Sequence, residues 1–164
     1  MHHHRQKRQG SIQGRHRGCT VNNLSRKAED YLEAIYRITC DKGYARTKDV
    51  AFELGVRPST VVEMFRKLHS YGLIEYRRYE GVVLRPEGEK IGKAVHLRHE
   101  TLKEFLLLLK VPERIAEDDA CFMEHELHPE TIQQIRTLLD CLSSEPDAAA
   151  VLKRHLTAAR LSRT

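Results

Sequence analysis

The segment CFMEHELH puts a thiol, a carboxylate and an imidazole at Cys121, Glu124 and His125. Positions i, i+3 and i+4 share one face of a helix, so these side chains converge if the segment is helical. Thiolate, carboxylate and imidazole together suit a borderline divalent ion, iron(II), manganese(II), cobalt(II) or zinc(II), and suit calcium or magnesium poorly. Spacing alone leaves a second reading open, in which the three are ordinary packed or solvated helix residues. His99 borders an apolar stripe elsewhere in the chain. Asp30 and Glu33 fall on the polar face of another segment, where a solvated surface with a Glu33–Arg37 ion pair is the simpler expectation.

Catalytic patterns are scarce. His125-Glu126-Leu127-His128 is one residue short of the HExxH zinc-protease helix, so its two histidines miss a common face. His99-Glu100 has no second histidine at position 103, and the chain has neither a Gly-rich phosphate loop nor GxSxG. The cysteines at 19, 40, 121 and 141 form no CxxC pair, which argues against a zinc ribbon or disulfide framework and fits a reducing compartment. The expectation is a protein that is not an enzyme and takes no small organic substrate.

The elements that must position these residues follow from the punctuation. Ser25 can cap a helix from about Arg26 to Thr39 that buries Ala28, Tyr31, Leu32, Ile35 and Ile38, with DKGY as its stop. Thr47 is expected to cap a short helix, Lys48 to Leu54, ended by Gly55, and Pro58 to open a second helix reaching about Ser70. Two short helices across a tight Gly-containing turn make a helix-turn-helix. Leu73 to Tyr79 and Gly81 to Leu84, joined at Glu80-Gly81, then read as a hairpin wing.

In the second of these helices Val61, Met64, Phe65 and Leu68 face one way and Ser59, Glu63, Arg66 and Ser70 the other, flanked by Thr60 and Lys67. A recognition helix needs that division, one side packed and the other offered to a DNA groove. Thr47, Ser59 and Thr60 suit phosphate or base contacts. Arg57, Arg66, Lys67, Arg77 and Arg78 can neutralise phosphates, and Glu63 can accept from a cytosine amino group.

A long helix is expected from Glu87 to Lys110, with Ile91, Ala94, Val95, Leu102, Phe105, Leu106 and Leu109 as its apolar stripe, either a dimer seam or internal core. Pro112, Pro129 and Pro146 each open a further helix. The fold class is therefore mainly α: a basic, disordered tail at 1–23, a winged helix-turn-helix at 24–85, a helical metal-binding and dimerisation domain at 86–142, and a terminal helix or tail at 143–164.

The chain has 164 residues, room for one or two domains, and 40% apolar with 31% charged residues fits a folded, helix-rich protein. No purely apolar run is longer than that from Phe105 to Leu109, so no membrane partner is expected, and the N-terminus lacks the apolar core of a secretory signal, which predicts a cytoplasmic location. Arg5, Lys7, Arg8, Arg15 and Arg17 lie in the tail with no acid. The remaining basic and acidic residues cancel, so the net charge of +5 resides there, as suits a polyanion-binding arm or a solvated leader.

The stretches KAEDYLEAIYRITCDKGYARTKDVAFELGV, RPSTVVEMFRKLHSYGLIEYRRYEGVVLRPEGEKIGK, RHETLKEFLLLL and DDACFMEHELHPETI run in unbroken order from about Ser25 to Leu142. Together they resemble the metalloregulators typified by the diphtheria toxin repressor and the manganese transport regulator. The resemblance implies a winged helix-turn-helix joined to a helical dimerisation domain, with divalent metal between them fixing the geometry for operator binding. The likeness is expected to be to the short, manganese-type branch, which lacks the SH3-like third domain of the iron type.

Carried over by position, the resemblance assigns the metal site to Asp30, Glu33, His99, Glu124 and His125, with Cys121 where the manganese type has a glutamate. The iron type has that cysteine but a methionine at position 30, so the ligand set is a hybrid. Lys103 and Glu117 stand where the second iron-type site has a glutamate and a histidine. What this implies is a repressor of metal-uptake genes that binds a palindromic DNA operator as a homodimer, with manganese(II) or iron(II) as co-repressor and cobalt(II) or zinc(II) as further candidates. The alternatives are a metal-independent winged-helix regulator that senses oxidants through Cys121, and a metal-dependent hydrolase.

Overall fold

The computed structural model describes residues 24–161. The basic tail, with Cys19, lies outside the described residues. Seven helices and one two-stranded sheet make up the described part.

Helix α1 (Arg26–Lys42) starts where Ser25 Oγ accepts the backbone N–H of Ala28, and it stops at Gly43, whose φ of 78° is left-handed. Ala28, Tyr31, Leu32, Ile35 and Ile38 are buried as their periodicity predicts. Glu33 is buried as well, against expectation, and Arg37 pairs at 3.2 Å with Glu53 rather than with Glu33. The face that looked solvated is covered by another helix.

Helices α2 (Thr47–Glu53) and α3 (Pro58–Ser70) form the helix-turn-helix. Thr47 is the first residue of α2 and not its cap. Arg46 holds the capping position and donates its backbone N–H to Asp49 Oδ2 at 3.1 Å. In α3, Val61, Phe65 and Leu68 are buried against the rest of the domain. Strands β1 (Ile74–Arg77) and β2 (Gly81–Leu84) pair antiparallel from Ile74↔Leu84 to Arg77↔Gly81. The first strand is shorter than predicted because the chain turns after Arg77, with Tyr79 at a φ of 73°. A bridge from Ala45 to Val82 ties the wing to the start of α2.

Helix α4 (Pro86–Leu108) follows, then α5 (Glu113–Glu126), α6 (Pro129–Ser144) and α7 (Pro146–Leu161). The stripe of α4 serves two cores in turn. Ile91 packs on the core of the DNA-binding end, while Leu102 and Leu106 join Ala116, Ala120 and Ile132 in a second core with α5 and α6. Ala94 and Leu109, expected in the stripe, are exposed.

Two glycines let α4 approach the first domain closely. A Cβ at Gly92 would stand 2.5 Å from the Leu32 carbonyl oxygen of α1, and one at Gly88 would overlap the Leu73 carbonyl oxygen. Helix α4 is thus pressed onto α1, and His99, two turns further along it, is brought to the flank of α1. Gly92→Ala must push these backbones apart, and overpacking of this kind costs about 1–3 kcal/mol. The expected outcome is a lower urea midpoint at unchanged helical content, measured by circular dichroism.

Candidate metal centre

Three helices converge on Glu124. Its carboxylate is 1% exposed, with Oε2 accepting from His99 Nδ1 at 2.9 Å and Oε1 3.1 Å from His125 Nε2. His125 Nε2 also lies 2.8 Å from Asp30 Oδ1. Two donor groups result, Asp30 with Glu124 and His125, and Glu33 with His99 and Glu124, each with ligand atoms within 4.8 Å of one another. Glu124 belongs to both. Asp30 and Glu33 come from α1, His99 from α4, and Glu124 and His125 from α5.

The i, i+3 spacing on α1 aims Asp30 and Glu33 at the same cavity, and the i, i+1 pair on α5 flanks it from the other side. Cys121 lines this cavity, of about 260 Å³, together with Asp30, Glu33, His99, Glu117 and Glu124. It stands at the exposed mouth and outside both donor groups. Its backbone carbonyl accepts from Arg26 Nη2 at 3.2 Å, and the same guanidinium lies over the Phe122 ring.

The electrostatics are those of a site short of positive charge. Burial, with Glu124 alongside, raises the Glu33 carboxyl above its ordinary range. Burial raises Asp30 too, although His125 opposes it. The hydrogen bond to Glu124 raises His99 despite its burial. Burial and the neighbouring carboxylates of Glu124 and Asp30 push the Cys121 thiol up.

The residues present fit a divalent cation. Glu33 Oε1, His99 Nε2 and His125 Nε2 are buried without a hydrogen-bond partner. The contacts of His125 Nε2 with Asp30 and Glu124, of His99 Nε2 with Glu117 and of Glu33 Oε1 with His96 are short but lack hydrogen-bond direction. Buried polar atoms left unpaired are costly, and a cation satisfies carboxylate oxygens and imidazole lone pairs together. Oxygen and nitrogen donors in this ratio suit manganese(II) or iron(II), while the thiol at the mouth adds a soft donor.

Sequence reading missed Glu29 and Arg98, and it named Lys103 and Glu117 without their pairing. Glu29 Oε2 accepts from His125 Nδ1 at 3.1 Å and lies 3.5 Å from Arg98 Nη2. Glu117 is shared between Lys103 Nζ at 2.7 Å and His99 Nε2 at 3.2 Å, and the ammonium holds the Glu117 carboxyl below its ordinary range. No periodicity signals such residues, because their partners lie far along the chain.

On the opposite end, Arg57, Ser59, Glu63, Arg66 and Lys67 are exposed along α3, with Thr60 half-buried. Arg77 is engaged by Glu75 at 2.7 Å and by Glu80 at 3.4 Å, so its charge is largely spent within the wing. Arg78 lies over the Tyr79 ring. Thr47 and Arg78 border a cleft between α2 and the wing that also takes in Arg46, Lys48 and Tyr79, three residues the sequence reading did not single out.

Comparison with known proteins matches two domains in succession. Residues 23–82 match the iron dependent repressor N-terminal DNA binding domain, and residues 85–157 match the iron dependent repressor metal binding and dimerisation domain. The HTH-type transcriptional regulator MntR of Lysinibacillus sphaericus is 39% identical over 129 residues, covering 79% of this chain and 93% of that relative. The Bacillus subtilis MntR is 41% identical over 111 residues, covering 68% and 78%. A manganese-dependent transcriptional repressor solved in complex with manganese superposes with a TM-score of 0.61 at 30% identity, over 69% of this chain and 52% of that one. The T. acidophilum IdeR superposes with a TM-score of 0.60 at 26% identity, over 72% of this chain and 55% of that one. The chain belongs to the iron dependent repressor family, as a mainly helical, metal-dependent transcriptional regulator with a DNA-binding domain followed by a metal-binding and dimerisation domain.

Proposed function

We propose that this chain is a manganese(II)- or iron(II)-activated repressor of metal-uptake genes, bound to its operator as a homodimer. The ligands are Asp30, Glu33, His99, Glu124 and His125, with Cys121 at the mouth. The observation that carries this reading is the pair of donor groups sharing Glu124 across α1, α4 and α5. It is supported by relatives named as manganese-dependent regulators.

Asp30 and Glu33 belong to the helix that opens the DNA-binding domain, whereas Glu124 and His125 belong to the second core. Asp30 and Glu33 on one side and Glu124 and His125 on the other would hold a divalent cation, which would supply the positive charge these carboxylates lack and tie the two parts together. The arrangement with the higher cation affinity is then populated, and by linkage DNA tightens cation binding if that arrangement is also the DNA-competent one. Arg57, Ser59, Thr60, Glu63, Arg66 and Lys67 of α3, with Thr47, Arg77 and Arg78 beside them, form the DNA face. Two such faces in a dimer fit a palindromic operator with half-sites about 34 Å apart. Exposed apolar side chains on the second domain, Leu107, Ile115 and Leu138 among them, provide surface for the second copy.

The oxidant-sensing alternative is disfavoured by Cys121 itself. A reactive thiol needs a lowered pKa, and this one is raised. Peroxide is expected to leave operator binding intact.

Operator fragments selected by the manganese-loaded protein should bind roughly tenfold or more weakly once a chelator is added, the ordinary size of an allosteric coupling. Equal affinity in both conditions defeats the metal-switch reading. His125→Ala is expected to abolish the manganese response while the protein remains folded, checked by mobility shift and circular dichroism.

Stability should carry the same signature. Asp30 and Glu33 have ordinary values of 3.8 and 4.5 and are raised in the fold. His99, ordinarily 6.5, is raised as well. In each case the folded, metal-free protein binds the proton more tightly than the unfolded chain, so stability falls as pH rises from the unfolded value through the folded one. Over about pH 5 to 8 the melting temperature in chelator should therefore decline, and manganese(II) should flatten or reverse the decline, as scanning calorimetry can measure.

A further inference from the structure

Glu29 is not among the donors assigned above, yet it makes the one directed hydrogen bond to the His125 ring. His125 Nδ1 donates to Glu29 Oε2 at 3.1 Å, while Nε2, the opposite ring nitrogen, faces Asp30 Oδ1 at 2.8 Å and Glu124 Oε1 at 3.1 Å with no hydrogen-bond partner. The imidazole is only 4% exposed, so water does not compete for either nitrogen. A neutral imidazole carries one N–H and one lone pair, and a carboxylate on Nδ1 draws the proton there, leaving the lone pair on Nε2.

We propose that Glu29 is a positioning residue of the metal centre, its carboxylate fixing the tautomer and ring direction of His125 so that Nε2 is the ligand atom. The proposal rests on the reading of Asp30, Glu124 and His125 as ligands. A carboxylate behind a ligating histidine both orients the ring and raises its basicity. Glu29 is itself restrained, because Arg98 Nη2 of α4 reaches the same oxygen at 3.5 Å. Its oxygen lies on the Nδ1 side of the ring, away from the donor group at Nε2, so it acts through His125.

The placement has a mechanical consequence. Glu29 and Asp30 are consecutive on α1, so the helix of the DNA-binding domain supplies one donor and also aims another donor carried by α5. A shift of α1 disturbs both at once.

The test compares manganese(II) affinity, by competition with a chelating dye, for the wild type, Glu29→Ala and Glu29→Gln. Glutamine keeps an acceptor oxygen for Nδ1–H. The expected result is a 10–100-fold loss for Glu29→Ala, the usual range for such partners, with affinity restored close to wild type in Glu29→Gln. Wild-type affinity in Glu29→Ala overturns the proposal, as does a glutamine variant that falls as far as the alanine one. Should Glu29→Ala not fold, long-range proton–nitrogen NMR of the zinc(II)-loaded wild type decides. A proton on His125 Nδ1 is expected, and a proton on Nε2 overturns the proposal. A wild-type chain that binds neither manganese(II) nor zinc(II) defeats the metal reading itself, and the positioning role with it. That failure shows before any substitution is made.

Discussion

A buried carboxylate between two imidazoles is the constraint on which the rest of the structure depends. Glu124 is nearly inaccessible to water and has Glu33 and Asp30 for neighbours. Anions withdrawn from water must be paired, or they retreat to their neutral forms. His99 donates to one oxygen, the other faces His125 Nε2 without a directed hydrogen bond, and burial beside these charges raises the Asp30 and Glu33 carboxyls. The fold thus holds open a place for positive charge that its own side chains fill only in part.

That place matters for function because of the helices that build it. The close approach at Gly88 and Gly92 packs α4 onto the DNA-binding domain, so His99 is fixed relative to α1. Helix α5 packs instead on the lower half of α4, in the second core. Between α1 and α5 run Arg26 to the Cys121 carbonyl, Glu126 and the Phe122 ring, and Glu29 and Asp30 to His125. Exposed ion pairs such as Arg26–Glu126 contribute little. Both helices pack on α4, so these polar links are added to a placement set by packing, and α1 leads directly into the helix-turn-helix.

The framework was legible in the sequence wherever one residue acts alone. Ser25, Gly43, Pro58, Pro86, Pro129 and Pro146 mark element boundaries through their own backbone chemistry, and the stripes of α1 and α3 carry their helical period. Thr47 misled because a threonine before a helix resembles a cap, while the cap geometry was decided by Asp49 reaching back to Arg46. Glu33 misled for a different reason. A polar face reads as solvated until the partner that covers it is known, and here the partners lie on α4 and α5. The resemblance to a family recovered Asp30, Glu33 and His99, which periodicity could not join. Glu29 and Arg98 stayed hidden, and Lys103 and Glu117 were named without their pairing, because each depends on contacts that tertiary packing alone creates.

The hybrid character of the ligand set is resolved by position. The thiol of Cys121 stands at the mouth, raised by burial and by the carboxylates facing it, so it is a poor anion until positive charge is near. The interior donors are carboxylate and imidazole, which favour harder divalent ions. At the other rim, the Lys103 ammonium already occupies Glu117, and that carboxylate's second oxygen leans on His99. A tethered cation therefore stands where the iron-type resemblance implies a second metal site. With Glu117 paired from within the chain, the proposed cation would be drawn to the two groups that share Glu124, at the junction of α1 and α5.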